Sequence, residues 1–208
     1  MIDITQAKRR GLFGRLAGAM ALGLVANRAQ AQAPSGLEWP GVLKGTHKQL
    51  VDGVEPNGGL ALAFAWTFLV PNPPGSATAV VVLRHEAAPI ALGHALWAKY
   101  KVGETMKIMD PETKAPAVKN PFLQPKPGVL VRDEVAIDRV LAQGVIIGVC
   151  NMALTSLSKR LAANAGVDAD AAYKEWVAAV LPGITVLPSG TWGVNRAQEA
   201  GCTYCAGA

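Results

Sequence analysis

No apolar run in this chain of 208 residues reaches the roughly 20 residues a membrane-spanning helix needs, so no stable membrane span is expected. Basic stripes are equally scarce once the first 33 residues are set aside. The formal net charge is +5, yet Lys8, Arg9, Arg10, Arg15 and Arg28 are opposed in that leader by Asp3 alone. The remainder is close to neutral. Without a basic surface interleaved with aromatics to follow a phosphate backbone, nucleic acid is not an expected partner. Metal-ligating residues are few as well, with three cysteines and three histidines. Cys202 and Cys205 have the C-x-x-C spacing, but Ala206 stands where a c-type haem needs histidine. A four-ligand zinc site would need two more ligands, from His47, His85 or His94. No resident metal or cofactor is expected.

What is present suffices for one packed domain. Half of the residues are hydrophobic, enough for a core and too many for a disordered chain. The leader, residues 1–33, has three parts: Lys8-Arg9-Arg10-Gly11-Leu12-Phe13, a mild apolar run to about Ala26, and two small-x-small sites, Ala29-Gln30-Ala31 and Ala31-Gln32-Ala33. Charged start, short apolar middle and small-residue end are the parts of a secretory signal. Paired arginines ahead of a glycine-diluted apolar run resemble a twin-arginine signal, with Phe13 one place later than usual. That resemblance implies a twin-arginine translocon as partner, folding before export, and a periplasmic or secreted protein beginning near Gln32 or Pro34. The alternative is an uncleaved amphipathic anchor. Residues 34–208 then form a single domain with a C-x-x-C tail.

Along that domain, strand-like and helix-like segments alternate. Thr46 to Asp52 is a weak strand ending at Gly53. Leu60 to Val70 is a buried helix stopped by Pro71-Asn72-Pro73-Pro74-Gly75. Ala77 to Leu83 is a continuous apolar strand that exits into Arg84-His85-Glu86. Pro89 suits the first turn of a helix that places Ile90, His94, Trp97 and Lys101 on one face. Residues 103–128, with five prolines, form an irregular connection read as a subunit-contact arm or, second, a lid. Leu130 to Gln143 reads as an amphipathic helix closed by Gly144.

Val145-Ile146-Ile147-Gly148-Val149 is a buried strand ending at Cys150-Asn151, and Leu154, Leu157 and Leu161 mark the helix after it. Asp168 is a candidate N-cap for a helix whose Tyr173, Trp176, Val177, Val180 and Leu181 fall at helical spacing. Ile184 to Leu187 is the last expected strand, leaving through Pro188-Ser189-Gly190 into a short helix around Val194 to Glu199. The alternation predicts an α/β, Rossmann-like three-layer fold with a mostly parallel sheet.

In such sheets ligands bind beyond the carboxyl ends of the strands. Three exits are chemically loaded: Arg84-His85-Glu86, Cys150-Asn151 and Ser189-Gly190. A thiol at a strand end also faces the amino end of the next helix, whose dipole favours a thiolate. The bland alternative for Cys150 is a buried structural cysteine. Whether the three exits meet depends on strand order.

Several segments together are distinctive: Val82-Leu83-Arg84-His85 with Ala95-Leu96-Trp97-Ala98-Lys99-Tyr100, Val149-Cys150-Asn151-Met152-Ala153-Leu154, and Leu187-Pro188-Ser189-Gly190 with Gly193-Val194-Asn195-Arg196-Ala197-Gln198-Glu199. On these residues the chain, from about His47 to Cys205, resembles the DsrE/DsrF-like family. The resemblance implies a Rossmann-like fold, a homo-oligomer, and a cysteine that carries sulfur as a persulfide between donor and acceptor proteins, the position matched by Cys150. The chain departs from those sulfur-relay proteins in its export signal and in Cys202 and Cys205.

The expectation is a sulfur carrier or sulfurtransferase with Cys150 as nucleophile and His85 raising or gating its thiolate. Asn151, Glu86, Ser189 and Gly190 would support the site. Cys202 and Cys205 are read as a disulfide, as a resolving pair for Cys150, or as a soft-metal pair. The rival expectation is a non-catalytic oligomer that binds a small ligand or metal between His85, Glu86 and Cys150.

Overall fold

The computed structural model describes residues 39–207. The expected leader, residues 1–33, lies outside the described residues, as do residues 34–38. Among the described residues five strands, β1 (His47–Gly53), β2 (Ala77–Leu83), β3 (Ile146–Cys150), β4 (Ile184–Leu187) and β5 (Thr203–Ala206), make one sheet in the order β4-β3-β2-β1-β5. Every pairing is parallel. Parallel neighbours need crossovers, and helices supply them: α1 (Leu60–Leu69), α2 (His94–Lys99), α3 (Val102–Met106), α4 (Ile137–Ala142), α5 (Asn151–Leu161), α6 (Ala169–Ala178) and α7 (Gly190–Glu199). The Rossmann-like α/β expectation holds.

Side chains alternate across the sheet, so each strand feeds two cores. Val51, Val81, Ile147 and Ile184 join Leu62, Ile137, Leu154 and Trp176 on one face. Leu50, Val80, Val82 and Leu187 face the other way, toward Ala197 of α7 and the buried Trp39. Both faces are covered, as a parallel sheet requires. This explains why β2 reads as an unbroken apolar run: six of its seven residues are buried.

Four local expectations are corrected. The tail is an edge strand: β5 pairs with β1, which makes the weakly signalled β1 an inner strand. The helix expected over 130–143 shrinks to α4, because Ala136 is extended (φ −60°, ψ 141°) and Asp133 uses its carboxylate on the Gly128 N–H (2.7 Å). Pro89 lies inside a 3-10 turn, His85–Ala91, that ends in extended Leu92, so Ile90 and His94 belong to different elements. Val180 and Leu181 lie beyond α6, where Val180 bridges Leu92. Asp168 does cap α6, accepting from the N–H groups of Asp170 and Ala171.

The proline-rich connection is held against its own domain. Buried Asn120 donates to the carbonyls of Ile90 (2.9 Å) and Leu92 (2.8 Å) and accepts from the Phe122 N–H. Ala117 and Phe122 enter the core beside it.

Candidate functional site

Strand order decides the site. Because β2, β3 and β4 are neighbours in register, with Leu83 beside Val149 and Cys150 beside Leu187, their three exits adjoin at one edge. Arg84, His85, Glu86, Cys150, Ser189 and Gly190 line a single cleft of about 330 Å³. The convergence left open by the sequence is therefore present.

Cys150 is buried, 6% exposed, and is itself the N-cap of α5: its Sγ accepts the N–H of Ala153 at 3.3 Å. A thiolate there receives a hydrogen bond from the first helical turn together with the favourable end of the helix dipole. The cleft's cations come from two further places. Arg84 lays its guanidinium on Asp52, Nε to Oδ1 at 2.7 Å and Nη2 to Oδ2 at 2.9 Å, and Asp52 also accepts the Tyr204 hydroxyl at 3.1 Å. The hydrogen bond to Asp52 raises the Arg84 pKa above its ordinary value; burial opposes it, and the charges of Asp52, Tyr204 and Cys150 add to it. Burial, then the hydrogen bond to Asp52, likewise pushes the Tyr204 phenol upward. Arg160 forks onto Glu86, with contacts of 3.0 and 2.9 Å, and that pairing raises its pKa.

Glycine and serine shape the third wall. Ser189 caps α7 by accepting the Trp192 N–H and lies 3.3 Å from the Thr191 hydroxyl. A Cβ on Gly190 would sit 2.5 Å from the Arg84 Cβ, so glycine here lets the Arg84 stem lie against the loop.

Two expected roles change. Asn151 turns away from the cleft and accepts the Tyr173 hydroxyl at 2.8 Å, so it holds α5 to α6. His85 begins its turn with a left-handed backbone, φ 51°, and its imidazole is 67% exposed, with Nδ1 4.0 Å from Glu55 Oε1. Among the described residues the sulfur's hydrogen bond comes from a backbone amide and not from His85.

The tail cysteines are free and separated. The pairing of β5 with β1 puts Cys205 with Val51 on one face, whereas Cys202 packs with Leu50 and Trp39 on the other. A bridge between them would require β5 to come away from the sheet. Three strand spacings of about 4.8 Å also separate β5 from β3, so neither cysteine reaches Cys150 within one chain. In this register the two tail thiols are unpaired and lie on opposite faces of the sheet. Burial pushes the Cys202 thiol upward, Lys48 opposing. Among the described residues no group of three or more His, Cys, Asp or Glu side chains could hold a metal ion.

Sequence reasoning missed Arg160, Asp52 and Tyr204. Arg160 stands on α5 ten residues after Cys150, and only its pairing with Glu86 marks it. Asp52 is a carboxylate at the buried end of a strand, a signal that was available but carried no partner.

No family model and no curated protein matches the chain. Among solved structures it is similar to a protein of unknown function from Methanobacterium thermoautotrophicum, at 14% identity and a TM-score of 0.43, over 77% of this chain and 98% of that one. That similarity assigns no residue a role, so the DsrE/DsrF-like resemblance stands on the quoted segments alone.

Proposed function

We propose that the protein is a sulfur carrier in which Cys150 holds sulfane sulfur as a persulfide. The observation that carries the reading is the placement of Cys150: a capping thiol opening into a cleft shared by Arg84, Arg160 and the hydroxyl-bearing start of α7. In the step, the Cys150 thiolate attacks the outer sulfur of a persulfide or polysulfide. The donor's S–S bond breaks as the new S–S bond forms, and the donor leaves as a thiolate with its electron pair. No net oxidation occurs. The product is anionic at its outer sulfur, and Arg84, fixed by Asp52, supplies positive charge beside it. His85 and Glu86 stand at the rim, where Glu86 sets the position of Arg160.

Export through the leader and self-assembly belong to the same proposal. An exported carrier would meet its donor already oxidised to the sulfane level, which the exchange above needs. Mass spectrometry after exposure to polysulfide tests the reading. One added sulfur atom is expected on Cys150 in the wild type, in Cys202→Ser and in Cys205→Ser, and none in Cys150→Ser. A Cys150 that stays unmodified while a known carrier is labelled in parallel would sink the proposal.

A further inference from the structure

The Cys150 cleft is walled by paired charges and by hydrocarbon. Arg84 places two N–H groups on Asp52, and Arg160 places two on Glu86. His85, the remaining basic group on the cleft, has Nδ1 4.0 Å from Glu55 Oε1. Each basic side chain that lines the cleft therefore already has a carboxylate beside it among the described residues. An anionic donor would meet Glu86 and a thiolate here with no unpaired cation to receive it, and would give up its own hydration on entry. An uncharged donor meets neither cost.

The rest of the wall suits an uncharged guest. Met152, Ser156 and Arg160 follow one another at helical spacing along α5, with Ala153 and Leu157 beside them. Met152 is 66% exposed, and its flexible, polarizable thioether adapts to an irregular shape. On the Gly190 side, a Cβ on that glycine would fall 2.7 Å from the Arg84 Cδ and 3.1 Å from its Cγ, so the methylene stem of Arg84 runs along the wall. Cys150 itself is 6% exposed, so a donor must enter the cleft to reach the sulfur. The volume of about 330 Å³ stands at the small end of the range for small-molecule sites, which favours a compact guest over a long one.

We infer that the donor to Cys150 is an uncharged ring of sulfane sulfur, cyclo-octasulfur, held against Met152, Leu157 and the stem of Arg84. The inference rests on the sulfur-carrier reading and names its substrate class. The Cys150 thiolate attacks one ring sulfur. A ring S–S bond breaks as the bond to Sγ forms, and the electron pair stays on the far end of the opened chain. Nothing leaves, no oxidant or reductant is consumed, and the negative charge passes from the thiolate to the chain end, so the charge of the cleft is unchanged. An acceptor thiolate then attacks the second added sulfur. The bond between the first and second added sulfurs breaks, the acceptor takes the remainder, and Cys150 is left as its persulfide.

Two donors test this: cyclo-octasulfur added from acetone and freshly dissolved inorganic tetrasulfide, at equal concentration. Loading of Cys150 is followed by mass, and each rate is divided by that of free N-acetylcysteine with the same donor, which removes the donors' intrinsic reactivity. The ring should first give an adduct of eight sulfur atoms on Cys150, which added thiol trims to one. Its normalised rate should exceed that of tetrasulfide at least about tenfold, a ratio that two buried methylenes' worth of apolar surface supplies. Met152→Gln changes an exposed side chain for another good helix former, so the fold is kept. In that variant the ratio of ring rate to tetrasulfide rate should fall at least about threefold. No ring preference in the wild type, with normal loading by tetrasulfide, would overturn the uncharged donor and leave the carrier reading in place. A preference that survives Met152→Gln undiminished would overturn it too. No loading from either donor would remove the carrier reading, and this inference with it.

Discussion

Removing the Asp52 carboxylate is the most informative single change outside Cys150. Asp52 is 3% exposed and serves three donors, two on Arg84 and one on Tyr204. Asp52→Ala leaves the Arg84 guanidinium without its counter-ion. A fully buried pair broken in this way costs about 3–5 kcal/mol. Arg84 retains some contact with water, its side chain being 27% exposed, and the half-exposed Tyr204 hydroxyl can rehydrate. The expected loss is therefore smaller, about 2–3 kcal/mol. For a domain of this size that lowers Tm by about 5–10 °C.

The second leg of the test is Arg84→Met in the same background. Removing the stranded charge should recover part of the loss, so the double variant is more stable than the two single losses predict, by about 1–2 kcal/mol. Urea unfolding followed by tryptophan fluorescence measures both. The loading rate of Cys150 by polysulfide should fall in Asp52→Ala, because Arg84 is no longer held along Gly190. Additive single and double variants, or an Asp52→Ala loss below about 0.5 kcal/mol, would refute the claim that Asp52 positions Arg84.

Two further outcomes follow from the packing and the titrating groups. Gly148→Ala places a Cβ 2.4 Å from Leu187 Cδ1, so it should cost about 1–3 kcal/mol in chemical denaturation, and Leu187→Val should return part of that loss. Burial, then the charge of Lys119, lowers the His94 pKa, Asp138 opposing, and its Nδ1 is enclosed without a partner among the described residues. The unfolded chain thus holds that proton more tightly than the folded one. The stability this residue contributes is present above its ordinary pKa of 6.5 and lost as pH falls through and below that value. The fall in Tm from about pH 7.5 to pH 5 should be smaller in His94→Gln than in the wild type, and equal slopes would refute the assignment.

Much of the architecture was legible because parallel strands buried on both faces leave an unambiguous mark. Ala77 to Leu83 and Ile146 to Val149 are continuous apolar runs, and the helix caps Asp168 and Gly144 stand where propensity puts them. β5 was illegible for the same physical reason. As an edge strand of four largely exposed residues it carries no apolar run, and its pairing with β1 is made by backbone groups that any sequence possesses. The helix expected over 130–143 failed where Asp133 found a local backbone partner, a competition periodicity does not register. At the site, Cys150, Glu86 and Ser189 were visible as reactive groups at strand ends. Arg160 and Asp52 were not, since their meaning lies in partners 74 and 32 residues away.

The amino-acid order by itself determined the alternation of strand and helix, and with it a thiol at the carboxyl end of a buried strand. Both follow from local rules: apolar periodicity, caps and chain breakers act within a few residues. Only the tertiary structure decided that β2, β3 and β4 are neighbours, so that Cys150 opens between Arg84 and Ser189. It likewise sent Cys202 and Cys205 to opposite faces and gave the sulfur of Cys150 to the Ala153 amide. Strand order and register arise from how whole faces bury against one another, a property no short stretch of chain contains.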